Sequence, residues 1–91
     1  MGWGAARKLR VALAGLGRVL AVELVCAGRG LDLRAPLRPG PGTAAALAAL
    51  RKVVRGPGPD RFVSPDLEAA CALVWSGELV AAVEGAVGEL A

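Results

Sequence analysis

The groups in this chain that could act as nucleophiles are the hydroxyls of Thr43, Ser64 and Ser76 and the thiols of Cys26 and Cys71. Each would need a neighbouring base, and histidine, the usual one, is absent from the sequence. Ser64 also has a structural use, because Ser64-Pro65-Asp66 has the pattern of a helix start with Ser64 as N-cap. Carboxylates could pair for acid-base work as Asp60 with Asp66 or Glu78 with Glu84, but their spacing matches surface charges of helix first turns equally well. The two cysteines lack CxxC spacing and have no histidine as co-ligand, which predicts no metal site and two reduced, buried, small apolar residues. No catalytic, cofactor-binding or metal-binding residue emerges.

The glycine-rich runs Pro39 to Gly42 and Gly56 to Pro59 precede helical stretches, as phosphate loops do. Alternate prolines remove the successive N–H donors that a phosphate nest requires, and neither GxGxxG nor GxxxxGK[ST] occurs. These runs read as linkers.

The elements between the linkers read as helices, so the expected fold class is all-α, one long helix followed by three shorter ones, as a piece of a larger helical bundle. From Trp3 to about Gly28 no proline intervenes, and Leu9, Leu13, Leu16, Leu20, Leu24, Ala27 and Leu31 share one face. Gly30 is expected to close that helix in the left-handed conformation. The opposite face carries Arg7, Arg18 and Arg29 interleaved with Val11, Val22 and Val25, so it is only half polar. A helix apolar on one side and partly apolar on the other fits between neighbours.

Glu23 falls at the edge of the leucine face, where an unpaired buried charge would cost several kcal/mol, so a partner on a neighbouring helix is expected. About 26 helical residues span roughly 39 Å. A compact chain of this length has a diameter of roughly 30 Å, so the helix should protrude from its own domain. Leu9, Leu13, Leu16, Leu20, Glu23 and Leu24 are therefore the candidate helix-packing interface, toward another copy or a larger body.

Residues 1–30 form the long bundle helix in this reading, 31–42 a Pro/Gly connector, and 43–91 a small helical cap. Within the cap, Thr43 is the expected N-cap of a helix to about Val54 with Ala46, Leu47, Leu50 and Val54 inward. Leu67, Cys71 and Val74 line the next helix. Gly77 ends it, and Glu78 to about Val87 forms the last, with Leu79, Val80 and Val83 inward.

The 91 residues are 55% hydrophobic but only 3% aromatic, so the core must be made of Leu, Val and Ala. A net charge of +3 without a block of like charges predicts no nucleic-acid binding. Arg18 and Glu23 interrupt the apolar stretch of the first helix, which argues against a membrane span; Arg7, Lys8 and Arg10 with Trp3 could hold a basic helix on an anionic membrane, but the Arg7, Arg18 and Arg29 stripe is widely spaced, which favours the solvated end of a packed helix. The expected location is cytoplasmic.

The segments AARKLR, RVLAVEL, GRGLDLRAPLRPGPGT and GPGPDRFVSPDLEAACALVWSGELVAAVE, in this order, resemble the C-terminal region of bacterial histidine ammonia-lyases. The most specific parts are Gly30-Leu31-Asp32-Leu33-Arg34 and Asp60-Arg61-Phe62 before the Ser-Pro-Asp helix start. The resemblance implies a parent reaction from L-histidine to urocanate and ammonia, on a methylidene-imidazolone formed from an Ala-Ser-Gly triplet. It also implies a homotetramer with the long helices in a central bundle, hence partner helices of its own or parental type. No Ala-Ser-Gly occurs here, and the family's active-site histidine, tyrosine, asparagine and glutamine have no counterparts, so the chain alone is expected to be inactive. Met1 would match an internal methionine of the family, so the expectation is a truncated gene product or an open reading frame begun at that methionine. The alternative is a free-standing helical interaction module.

Overall fold

A computed structural model describes residues 2–56, 58 and 61–90. The fold is all-α, with α1 (Gly2–Leu33), α2 (Pro41–Arg51), α3 (Ser64–Ser76) and α4 (Glu78–Val87), and there is no strand among the described residues. α1 packs mainly on α3 and α2 mainly on α4, with α3 meeting α4 and the end of α1 touching α2.

α1 runs past Gly30, which is helical; among the described residues only Gly77 and Gly88 have positive φ. The expected stop at Gly30 is thus corrected. Two interactions hold the extra turn: Leu31 is half-buried, and the Asp32 carboxylate pairs with Arg51 of α2. The helix ends where Pro36 bars Ala35 from helical geometry, with Arg34 and Ala35 donating their N–H groups to Leu31 (3.2 Å) and Asp32 (3.3 Å).

α2 starts earlier than expected. Gly40 is its N-cap and Pro41, with φ already suited to a helix, opens it, so Thr43 lies inside the first turn. The helix ends at Arg51, and a turn with Val53 and Val54 donating to the Leu50 carbonyl (3.0 and 2.8 Å) carries the chain on. α3 opens at Ser64-Pro65, but the Ser64 hydroxyl makes no capping bond; the N-cap position is Val63, whose carbonyl accepts from Leu67 N–H at 3.1 Å. Gly77, at φ +81°, ends α3 and starts α4, which leaves at an angle of 63°. The left-handed conformation there is the one expected of glycine.

The core is small: Ala21 of α1, Leu50 and Val54 from α2 and its following turn, and Ala70 and Leu73 of α3. Leu24, Val25, Ala69, Cys71 and Leu79 pack against it half-buried. Leu50 and Val54 are its only large fully buried side chains among the described residues, as their place in the α2 stripe predicted. The inner face of α3 is rotated from the expected one, with Ala70 and Leu73 buried and Leu67, Cys71 and Val74 at its margins. Val80, expected inward, is exposed, and so is Cys26.

The molecule measures 54 × 36 × 17 Å, with a radius of gyration of 15.2 Å. A compact chain of 91 residues would have about 12 Å. The excess comes from α1, which at 32 residues is about 48 Å long and projects beyond the cap as its sequence predicted.

Candidate helix-packing interface

Two stripes run along α1. One is made of small residues: Gly17, Ala21 and Gly28 are the buried positions of the helix, and the cap sits on them. A Cβ at Gly17 would lie 2.7 Å from Cε2 of Trp75, and one at Gly28 would lie 2.7 Å from Cδ2 of Leu50. Without side chains at these points the α3 and α2 residues approach the α1 backbone closely. The small-residue spacing was present in the sequence, but the leucines beside it are the stronger periodic signal.

The second stripe is the leucine face, and the cap leaves it bare. Leu9, Leu13, Leu16 and Leu20 are 60, 43, 51 and 40% exposed, while Leu24 and Leu31, nearer the cap, are half-buried. Glu23 is exposed and makes no ion pair among the described residues. The candidate residues are thus brought together along one helix. Every described residue from 2 to 16 is exposed, Trp3 at 77% included. By length and composition alone α1 could also cross a membrane.

Arg51 ties the cap to α1, and Arg61, of the Asp60-Arg61-Phe62 motif, ties the segment before α3 to that helix. Arg51 pairs with Asp32 and also donates to the carbonyls of Val54 (3.4 Å) and Arg55 (3.5 Å). Arg61 donates to Asp66 (2.8 Å), to the Arg55 carbonyl (2.8 Å) and to the Gly56 carbonyl (3.2 Å). Together they satisfy the carbonyls of Val54, Arg55 and Gly56 and fasten this segment after α2 to α1 on one side and α3 on the other. Neither arginine belongs to an apolar stripe, so periodicity gives no sign of these pairs, which become visible only in three dimensions.

The possible nucleophiles form no catalytic arrangement. The Ser76 hydroxyl donates to the Leu73 carbonyl (3.0 Å) and accepts from Glu78 N–H (3.2 Å), which commits it to the α3–α4 bend. Ser64 and Cys71 line a shallow groove with Arg18 and Glu68, and neither the hydroxyl nor the thiol is hydrogen-bonded to the Glu68 carboxylate. Thr43 is exposed. Asp66 is paired with Arg61 and Glu84 accepts from Leu90 N–H (2.8 Å), while Asp60 lies outside the described residues. No cluster of His, Cys, Asp or Glu among the described residues could hold a metal ion. Gly40 is used as a helix cap, and the Gly56 carbonyl accepts from Arg61.

Residues 1–52 match the family of aromatic amino acid lyases. The chain belongs to that family. Within it, the chain is similar along its whole length to histidine ammonia-lyases and corresponds to a segment of them. It is 53% identical to the histidine ammonia-lyase of Streptomyces avermitilis over 92 aligned positions and 55% identical to that of Streptomyces griseus over 94, with all of this chain covered in both. The enzyme of Symbiobacterium thermophilum is 50% identical over 99% of the chain. The chain spans about 18% of the length of these relatives. No solved structure matches it.

Proposed function

We propose that the chain acts as the C-terminal helix-packing and oligomerisation segment of a histidine ammonia-lyase, whose reaction eliminates ammonia from L-histidine to give urocanate. The observation that carries this is the bare leucine face of α1, in a chain similar throughout to a segment of such enzymes. A row of four leucines from Leu9 to Leu20, each at least 40% exposed, is a surface that water disfavours and another helix would cover.

The chemistry belongs to the remainder of the enzyme. A methylidene-imidazolone needs an Ala-Ser-Gly triplet, and the serines here follow Val63 and Trp75, so these residues do not fit that group. The segment's role is to hold helices in place around a site built elsewhere. Its partners are helices of its own or parental type in a homo-oligomer, and its location is cytoplasmic.

Protein covers α1 in this proposal, in place of lipid. Arg18 and Glu23 lie within its apolar stretch, and each such charge at the centre of a bilayer costs roughly 2.5–3.5 kcal/mol even on the lowest scale. One flank of α1 is also already occupied by α3.

The test is urocanate formation, followed by its ultraviolet absorbance, with the purified chain alone and mixed with a histidine ammonia-lyase polypeptide from which the matching segment has been deleted. Activity in the mixture only is expected. Silence in the mixture, with a stable oligomer of the chain by light scattering, would replace this reading with a free-standing interaction module. Co-sedimentation with anionic vesicles would point to a membrane surface instead.

A further inference from the structure

Four arginines line one recess of about 40 Å³: Arg29 from α1, Arg51 at the end of α2, Arg55 just after it, and Arg61 ahead of α3. Half-buried Val25 and buried Val54 add an apolar lining. Two of the guanidinium groups are fixed in place, Arg51 by Asp32 and the carbonyls of Val54 and Arg55, and Arg61 by Asp66 and the carbonyls of Arg55 and Gly56. Each makes three bonds of the five that a guanidinium can donate, so both keep donors to spare. Arg29 and Arg55 are exposed and make no ion pair among the described residues. The recess thus gathers four cations, of which two carboxylates neutralise two.

We infer that this recess binds one free inorganic oxyanion of phosphate or sulfate size. Like charges drawn together around an apolar lining repel one another, and an anion between them turns that repulsion into attraction. The excess of two positive charges suits a dianion better than chloride. A volume of about 40 Å³ has room for a few waters, which is the size of one tetrahedral oxyanion. The planar fork of a guanidinium matches two oxygens of such an ion at once. Arg29 and Arg55 would supply the charge that Arg51 and Arg61 have already committed to Asp32 and Asp66. A bound ion would then join α1, the end of α2 and the entry to α3 at one point, and would stabilise the packing of the cap on α1 by mass action.

The test is equilibrium dialysis of the chain against radiolabelled inorganic phosphate in chloride buffer at constant ionic strength, with thermal melts followed by circular dichroism. One phosphate per chain is expected, displaced by sulfate, with the melting temperature raised by roughly 5–10 °C at ten times the dissociation constant. Arg29→Gln and Arg55→Gln change exposed side chains and should leave the fold intact while weakening binding by about tenfold or more each. Phosphate and sulfate also strengthen burial in any protein. A melting shift that survives in the double variant would be that general effect and would overturn the inference, as would the absence of bound phosphate. Asp60, directly before Arg61 in the sequence and outside the described residues, is the rival occupant. Binding that appears only in Asp60→Asn would give the recess to that carboxylate and overturn the inference, whereas equal binding with and without the substitution would support it.

Discussion

Gly28 of α1 lies directly beneath Leu50 of α2: a Cβ on Gly28 would stand 2.7 Å from the leucine Cδ2, and Leu50 has no exposed surface into which it could retreat. Gly17 stands in the same relation to Trp75, but that side chain is 56% exposed and can turn aside. Gly15 has nothing within 4 Å of its would-be Cβ. Alanine gains about 1 kcal/mol over glycine inside a helix, and overpacking costs about 1–3 kcal/mol. Gly15→Ala should therefore stabilise by up to ~1 kcal/mol, Gly17→Ala should be nearly neutral, and Gly28→Ala should destabilise by ~1 kcal/mol or more. Urea melts followed by circular dichroism would rank the three, and a stabilising Gly28→Ala would contradict the close approach of α2 to α1.

Leu50 and Leu16 are the same residue type in opposite settings. Leu50→Ala empties the centre of the core and should cost about 2–5 kcal/mol, enough to unfold the cap. Leu16→Ala, at a position 51% exposed, should alter the stability of the monomer by less than about 1 kcal/mol while weakening association. Sedimentation equilibrium and thermal melts, run side by side on both variants, separate the two effects.

Asp32 and Arg51 are each about a quarter exposed, so their pair is only partly screened. Removing the carboxylate leaves Arg51 with its two carbonyl acceptors, whereas removing the guanidinium loses all three contacts. Asp32→Ala should cost ~1 kcal/mol and Arg51→Ala ~2 kcal/mol. The double variant should cost less than the sum of the two, and strict additivity would show that the pair is not coupled in solution.

The α3–α4 bend depends on a left-handed residue at Gly77 and on the Ser76 hydroxyl bridging Leu73 and Glu78. Gly77→Ala should cost about 1–2 kcal/mol and Ser76→Ala about 0.5–1.5 kcal/mol. Loss of amide-exchange protection confined to residues 73–80 would place either effect at the bend; loss spread over α1 would not.

An exposed thiol and a half-buried one should differ in rate. Cys26 should react with an aromatic disulfide reagent at the speed of a free peptide thiol, and Cys71, packed against the core, more slowly. Equal rates would mean that the cap opens faster than the reagent arrives.

The four helices and the inward residues of α2 were legible because proline, glycine and apolar period mark them directly. The end of α1 was not. Gly30 has the look of a stop, but the Asp32–Arg51 pair and half-buried Leu31 outweigh the intrinsic preference of one glycine. The N-caps failed for a similar reason: Thr43 and Ser64 are good capping types, yet Gly40-Pro41 and Val63 occupy the positions because the prolines fix where each helix enters. Cys26 was read as buried from its residue type, whereas its place on α1, away from both stripes, leaves it in solvent. The leucine face was legible as apolar, but which stripe the chain would cover for itself was not. Leucines are a stronger signal than glycines, although it is the glycines that let α2 and α3 come close.

The bare first half of α1 also makes the secondary structure of this chain a question of concentration. Residues 2–16 have no neighbour to protect their amide hydrogens, and a free helical half-length of this size is marginal in water. In dilute solution these turns should fray while those resting on the cap persist. Association through the leucines would order them, so helix formation in this segment and recognition of a partner would be a single coupled event.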